Sequence, residues 1–267
     1  MDIQPINGKP AILISSHGER ILVFGDTHIG IEYAIARSGF YIPYDSSTVV
    51  DEIVSLCKEC RATRVVHLGD VKHNIQRFFE AEKKTVRKLF RELEEMSIPL
   101  DILPGNHDGL LGKMLGDSLK NHLCVRIHKA GGIIIKEAGF FHGHAWPTED
   151  VLKSRCLITS HIHPAITLYD TLGSMSIERC WLRCRLDDGR ETIVVPAFNG
   201  LCGSQLNTGR ANTRCRRAAL VERLGLIRRN ATDVYTLDGL YLGKLGDITG
   251  LPPRQNSYHY STHTNNG

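Results

Sequence analysis

Arg20-Ile21-Leu22-Val23-Phe24-Gly25-Asp26-Thr27-His28 is the stretch that decides the fold. Four apolar residues in a row read as a strand buried on both faces. The chain then turns at Gly25 and places Asp26 and His28 just past the strand's carboxyl end. The same pattern recurs twice. Residues 63–68 form a β-branched run that stops at Gly69-Asp70. Residues 100–103 form a strand stopped by Pro104-Gly105 and followed by Asn106-His107-Asp108. Between these runs the apolar spacing is helical. Residues 46–60 carry Val49, Val50, Ile53, Val54 and Cys57, and residues 76–96 carry Phe78, Phe79, Val86, Leu89, Phe90 and Leu93. Residues 11–16 add a strand joined to the first by a turn at Ser16-His17-Gly18-Glu19. The first half is therefore predicted as β-β-α-β-α-β, with each polar cluster where open α/β sheets place their ligands.

The second half reads as short strands at residues 123–127, 132–135, 139–141, 156–159, 165–168, 180–186 and 192–195, with a helical turn or two at 151–155. Two further clusters, His142-Gly143-His144 and His161-Ile162-His163, follow two of these strands. The expected result is a second sheet packed on the first and flanked by helices. The predicted division is a core at 1–203, a basic extension at 204–250 with a hairpin at 234–243 packed on the core, and a disordered tail at 251–267. His259 and His263 lie in that tail and are read as idle.

With 267 residues, 42% hydrophobic and 23% charged, the chain fits one large domain or one domain with a small appendage. No apolar run approaches the ~20 residues of a membrane span. Residues 1–10 lack the order of a signal peptide. A cytoplasmic protein with no membrane partner is expected. Of the eight cysteines, Cys124, Cys156, Cys180 and Cys202 sit in apolar, strand-like contexts, and Cys184 closes another. Cys57 and Cys60 form a C-x-x-C pair in a helical pattern with no second half-site. Reduced thiols are expected rather than disulfides or structural zinc. The net charge is +4, but Arg210, Arg214, Arg216, Arg217, Arg223, Arg228 and Arg229 crowd a stretch whose one acid is Glu222. Two readings stay open: a face for phosphates, or a solvated helix face.

The five clusters supply hard and borderline ligands for two divalent metals. Asp26 and His28 alternate by two, so both side chains point one way in an extended segment. Asp70 has two oxygens and can bridge. Asn106 offers a neutral oxygen to the second metal, His142 and His161 offer imidazole nitrogens to the same ion, and His163 points back to the first. This mixed set suits Mn, Fe, Zn, Ni or Co better than a pure Mg or Ca site. Two metals ~3.5–4 Å apart clamp a phosphoryl group and give a bridging hydroxide at neutral pH, which attacks phosphorus in line. His107 is placed to donate a proton to the leaving oxygen, an effect worth ~10²–10⁴ in rate. Asp108 either orients His107 or contacts a neighbour. Gly-Asn-His-Asp alone arises by chance in on the order of one chain per thousand of this length.

The ordered set D-x-H, GD, GNHD, H and H-x-H resembles the calcineurin-like metallophosphoesterase superfamily over roughly residues 10–200. The resemblance implies an α/β fold, a four-layer α-β-β-α sandwich with two central mixed sheets. It implies that Asp26, His28, Asp70 and His163 hold one metal, that Asp70, Asn106, His142 and His161 hold the other, and that His107 is the acid. Gly25-Asp26-Thr27-His28-Ile29-Gly30 with Glu32 is similar to the ICC-like phosphoesterases of bacteria and archaea. So are Gly69-Asp70-Val71-Lys72-His73, Ser160-His161-Ile162-His163-Pro164 and Pro196-Ala197-Phe198-Asn199. Some members are encoded beside DNA ligase and helicase genes. That likeness implies a manganese-favouring phosphodiesterase acting on DNA or RNA, a nuclease in repair, with a helicase or ligase as partner.

Asp70 is not followed by the DRG of protein phosphatases, and the third cluster ends in Asp108 rather than Glu. Ser160 replaces the usual Gly, and serine is small enough for the turn. Lys72 and His73, beside the bridging carboxylate, either contact the substrate phosphate or stay on the rim, and Asn199 is a further candidate contact. Two other readings stand beside the nuclease. One is a small-molecule phosphatase or cyclic-nucleotide phosphodiesterase. The other is a non-catalytic scaffold, which the complete ligand set disfavours.

Overall fold

The computed structural model describes residues 1–109, 111–116, 124–169, 174–202, 204–205 and 219–250. Its first sheet has the order β1 (Asp2–Pro5), β2 (Ile12–Ser16), β3 (Glu19–Phe24), β4 (Arg64–His67), β5 (Leu100–Ile102), β6 (Val125–Ile127). β1, β2 and β3 run antiparallel, and β3 to β6 run parallel. The strand period of two sorts each apolar run between two layers. Leu22, Phe24 and Val65 face a cluster built with helices, while Ile21, Val23 and Val66 face the second sheet.

The helical cover comes from α1 (Ile31–Arg37), α2 (Ser47–Glu59) and α3 (Glu80–Glu95), with Val50, Ile53, Leu89 and Phe90 fully buried or nearly so. α3 starts four residues later than its apolar spacing predicts. The Phe79 backbone N–H donates to the Glu82 carboxylate at 2.8 Å, and this closes the first turn there. β1, α1 and α4 (Leu111–Leu115) are elements the apolar pattern does not signal, so the first half is not the predicted β-β-α-β-α-β.

The second sheet contains β7 (Ile133–Ile135), β8 (Ala138–Phe140), β9 (Cys156–Thr159), β10 (Pro164–Tyr169), β11 (Met175–Arg185), β12 (Glu191–Val194) and β13 (Ser204–Gln205). Its order is β13-β10-β11-β12-β9-β8-β7, with β8, β9 and β12 parallel. A hairpin of β14 (Thr232–Thr236) and β15 (Tyr241–Lys244) joins through β11, in register at Leu182 and Val234. Ile14, Leu103, Phe140, Ile158 and Val195 fill the space between the sheets. Beyond the second sheet lie α5 (Glu149–Leu152), α6 (Leu220–Arg223) and α7 (Leu245–Gly250), which bury Val151, Val221 and Leu245 against its outer face. The layers are α, β, β, α, with both sheets mixed.

Of the basic run, Arg210, Arg214, Arg216 and Arg217 lie outside the described residues, as do the tail at 251–267 and its His259 and His263. Arg228 pairs with Asp187 at 2.6 Å, and the Arg223 guanidinium lies over the Trp146 ring. The seven described cysteines are unbridged. Among the described residues no helix is long and apolar enough to cross a membrane.

Candidate metal centre

All five ligand clusters fall at carboxyl ends of parallel strands: β3, β4 and β5 in one sheet, β8 and β9 in the other. The loops are laced together by their backbones. Asp26 N–H donates to Gly69 O at 2.8 Å, His28 N–H to Asp70 O at 2.9 Å, and Ser160 N–H to His142 O at 3.0 Å. Asp26, His28, Asp70, His161 and His163 have φ of 56, 40, 53, 73 and 45°. The left-handed region is costly for residues with a Cβ, and such strain collects at functional sites. Gly105 is required by close approach, because a Cβ there would collide with Asp70 Oδ1.

The structure brings Asp26, His28, Asp70 and His163 together, with one ligand atom of each within 4.8 Å of the others. Asp26 Oδ2 accepts from His161 N–H at 3.1 Å. Asp26 Oδ1 is fully buried, has no hydrogen-bond partner, and lies 3.2 Å from His163 Nε2. His28 Nε2 lies 3.5 Å from His163 Nε2 and 3.6 Å from Asp70 Oδ2. Asp70, His142 and His161 form a second group. His142 Nδ1–H donates to Leu68 O at 2.7 Å, which leaves Nε2 facing Asp70 Oδ2 at 3.4 Å and His161 Nδ1 at 3.1 Å. This is how metal-binding histidines are oriented.

Burial and the two carboxylates pull the imidazoles of the centre in opposite directions. Burial pushes His28 down to about 3 and His161 down to about 4, so both offer neutral lone pairs at pH 7. Burial opposes charge on His142, yet the Asp70 and Asp26 carboxylates outweigh it and raise the ring to about 9. Burial also works against ionisation of Asp26, and His163 still holds it below the usual range. An orphaned carboxylate oxygen and converging nitrogens call for cations, and this donor set fits two divalent ions sharing Asp70.

Asn106 is exposed and sits between Gly105 and His107, so its backbone lies against the shared carboxylate. His107 N–H donates to Asp70 Oδ1 at 2.8 Å, and its Nδ1–H donates to the His73 carbonyl. Its ring lies 4.8 Å from that of His28. Asp108 settles the choice left open by the sequence. Its buried carboxylate accepts from Val71 N–H at 3.1 Å and Gly105 N–H at 3.0 Å, so it joins the Asp70 and Asn106 loops instead of orienting His107. Lys72 is fully buried, and its ammonium donates to the carbonyls of Asn74 and His107. A phosphate contact would require it to leave them. His73 Nδ1 lies 3.3 Å from His28 Nδ1, so His73 faces the site. Asn199 is buried; its Nδ2 donates to Thr27 O at 2.9 Å and its Oδ1 accepts from Leu201 N–H at 2.9 Å.

Two residues at the centre went unnoticed in the sequence. His67 is buried behind it, accepting from Gly69 N–H at 3.1 Å and lying 2.9 Å from Thr27 Oγ1. Cys202, read above as one more apolar cysteine, has its sulfur within 4.8 Å of ligand atoms of His28 and His163. The available signal was its place in a loop following β12, another parallel strand.

A family model described as calcineurin-like phosphoesterase matches residues 19–213. A search of curated proteins finds no match. The crystal structure of the Pseudomonas putida nuclease MPE is similar in fold, with a TM-score of 0.54 and 17% identity over 90% of this chain and 100% of that one. YfcE, a phosphoesterase from E. coli, aligns at a TM-score of 0.34 and 16% identity over 56% of this chain and 73% of that one. Matched over well more than half its length, and carrying a donor set for two divalent ions, the chain is a metal-dependent phosphoester hydrolase and belongs to the calcineurin-like phosphoesterase family.

Proposed function

We propose that this centre cleaves phosphodiester bonds in DNA or RNA, with manganese as an activating ion. The observation that carries the reading is Asp70, held between two ligand groups while its Oδ1 fixes the backbone of His107. Bound divalent ions polarise phosphoryl oxygens and supply a nucleophilic water at neutral pH. The chain's own residues do the rest. Asp26 and Asp70 carry the negative charge that holds the ions. His142, anchored on Leu68 O, keeps its orientation without substrate. His107, with its Nδ1–H spent on the His73 carbonyl, has Nε2 free, and in the doubly protonated imidazolium form that nitrogen carries the proton it hands to the departing oxygen.

Two further points favour a polyanionic substrate. α3 lines a groove with Lys84, Arg87, Lys88 and Arg91, which outnumber the acids Asp45 and Glu80 in the same lining. The fold also resembles that of a nuclease. A role in repair and a DNA ligase or helicase as partner belong to the same proposal and rest on the motif resemblance.

The test is hydrolysis of bis-p-nitrophenyl phosphate beside p-nitrophenyl phosphate, after metal is stripped and manganese returned, on wild type and Asp70→Asn. Diester turnover that needs both manganese and Asp70 supports the reading, and nucleic acid cleavage that falls steeply with salt extends it to DNA or RNA. Monoester preference overturns it in favour of a small-molecule phosphatase.

A further inference from the structure

We propose that the Cys202 thiolate is an additional ligand of the first metal position, and that it turns this position toward zinc, iron or cobalt while the second takes manganese. The proposal rests on the metal centre described above. The Cys202 sulfur and ligand nitrogens of His28 and His163 lie within 4.8 Å of one another, close to the spread of atoms on one ion with bonds of ~2.0–2.3 Å. His28 and His163 belong also to the group with Asp26 and Asp70, so the two groups share two histidines. Asp26 Oδ1, fully buried and unpartnered, faces His163 Nε2 at 3.2 Å.

The sulfur is held there by a stitched backbone. Cys202 N–H donates to Asn199 O at 3.1 Å, and Asn199 N–H donates to Asp26 O at 3.2 Å. Arg179 Nη1 donates to the carbonyls of Ala197 and Phe198, both at 2.8 Å. The loop bearing the thiol is thus fixed to the loop bearing Asp26 and His28. Ile31 and Ala197 pack on the cysteine from the apolar side. Cys57, Cys156, Cys180 and Cys184 are also buried, but in the hydrophobic clusters and outside the metal-type groups found among the described residues.

The chemistry follows from ligand softness. Binding releases the thiol proton to solvent and gives a sulfur lone pair to the ion. Thiolate favours zinc, iron and cobalt over manganese, whereas the group of Asp70, His142 and His161 offers only nitrogen and oxygen.

The test is the spectrum of full-length protein loaded with cobalt, with bound cobalt counted. Wild type is expected to show a thiolate-to-cobalt charge-transfer band that Cys202→Ser loses and Cys57→Ser keeps. X-ray absorption of zinc-loaded wild type is expected to show sulfur at ~2.3 Å, a reading that needs no variant to fold. Bound cobalt with no such band, or a band that survives in Cys202→Ser, overturns the thiolate ligand and leaves the metal centre standing. Failure to bind any cobalt overturns both.

Discussion

Replacing His107 by alanine separates the two jobs proposed for this residue. Its backbone N–H donates to Asp70 Oδ1 at 2.8 Å, a contact that alanine keeps. Its ring spends Nδ1 on the His73 carbonyl, which leaves Nε2 to serve a leaving oxygen. The substitution should therefore leave bound metal unchanged and remove only the proton donor. Loss of a general acid costs ~10²–10⁴ in rate, roughly 3–5 kcal/mol of barrier. That cost applies to a leaving group that departs as an alkoxide, such as a ribose oxygen. Nitrophenolate is a stable anion, so its loss should stay below about tenfold. The assay compares turnover of an oligonucleotide and of bis-p-nitrophenyl phosphate by wild type and variant, with metal counted in both preparations. Equal losses on the two substrates, or metal missing from the variant, would refute the reasoning.

Asp70→Asn removes the charge that faces His28 Nε2 at 3.6 Å and His142 Nε2 at 3.4 Å; bound metal should fall at both positions and turnover nearly vanish, and two retained ions at full rate would contradict the shared-ligand assignment. Asn199→Ala strands the Thr27 carbonyl, which now accepts at 2.9 Å. An unsatisfied buried acceptor costs about 2 kcal/mol, so Tm should drop by roughly 4–8 °C, and an unchanged melting curve would remove this contact from the account. His67 titrates at about 4 because burial disfavours its charge. Its folded pKa lies below the unfolded value of about 6.5, so it costs nothing above that pH. As pH falls from 6.5 to 4, the unfolded chain takes a proton that the folded chain refuses, and stability declines by roughly 3 kcal/mol. Denaturant titrations of metal-free wild type and His67→Gln should diverge across that window, and parallel curves would sink the assignment.

The layers were legible because β3 and β4 are short apolar runs whose two faces both need cover, and the ligands because each follows such a run. What escaped was set by contacts distant in sequence. β1 is polar, and pairing with β2 makes it a strand where its own side chains do not. α1 is preceded by Gly30, whose N–H donates to Ser46 Oγ, a hydroxyl that in turn donates to Glu32 at 2.6 Å. No local periodicity encodes that exchange. Asp108 meets Val71 from 37 positions away, and Cys202 meets His163 and His28 from 39 and 174 positions away, so residue type alone left one ambiguous and the other bland.

The candidate ligands straddle both sheets, Asp26, His28 and Asp70 from the first and His142, His161 and His163 from the second. His28 and His163, 135 positions apart, meet at 3.5 Å. An ion gripped by both would act as a reversible cross-link that closes a long loop, and the entropy such a closure removes from the unfolded chain grows with loop length. Metal and sheet packing then become one cooperative unit. Amides of the inter-sheet core, around Ile158 and Val66, should exchange faster when a chelator is present.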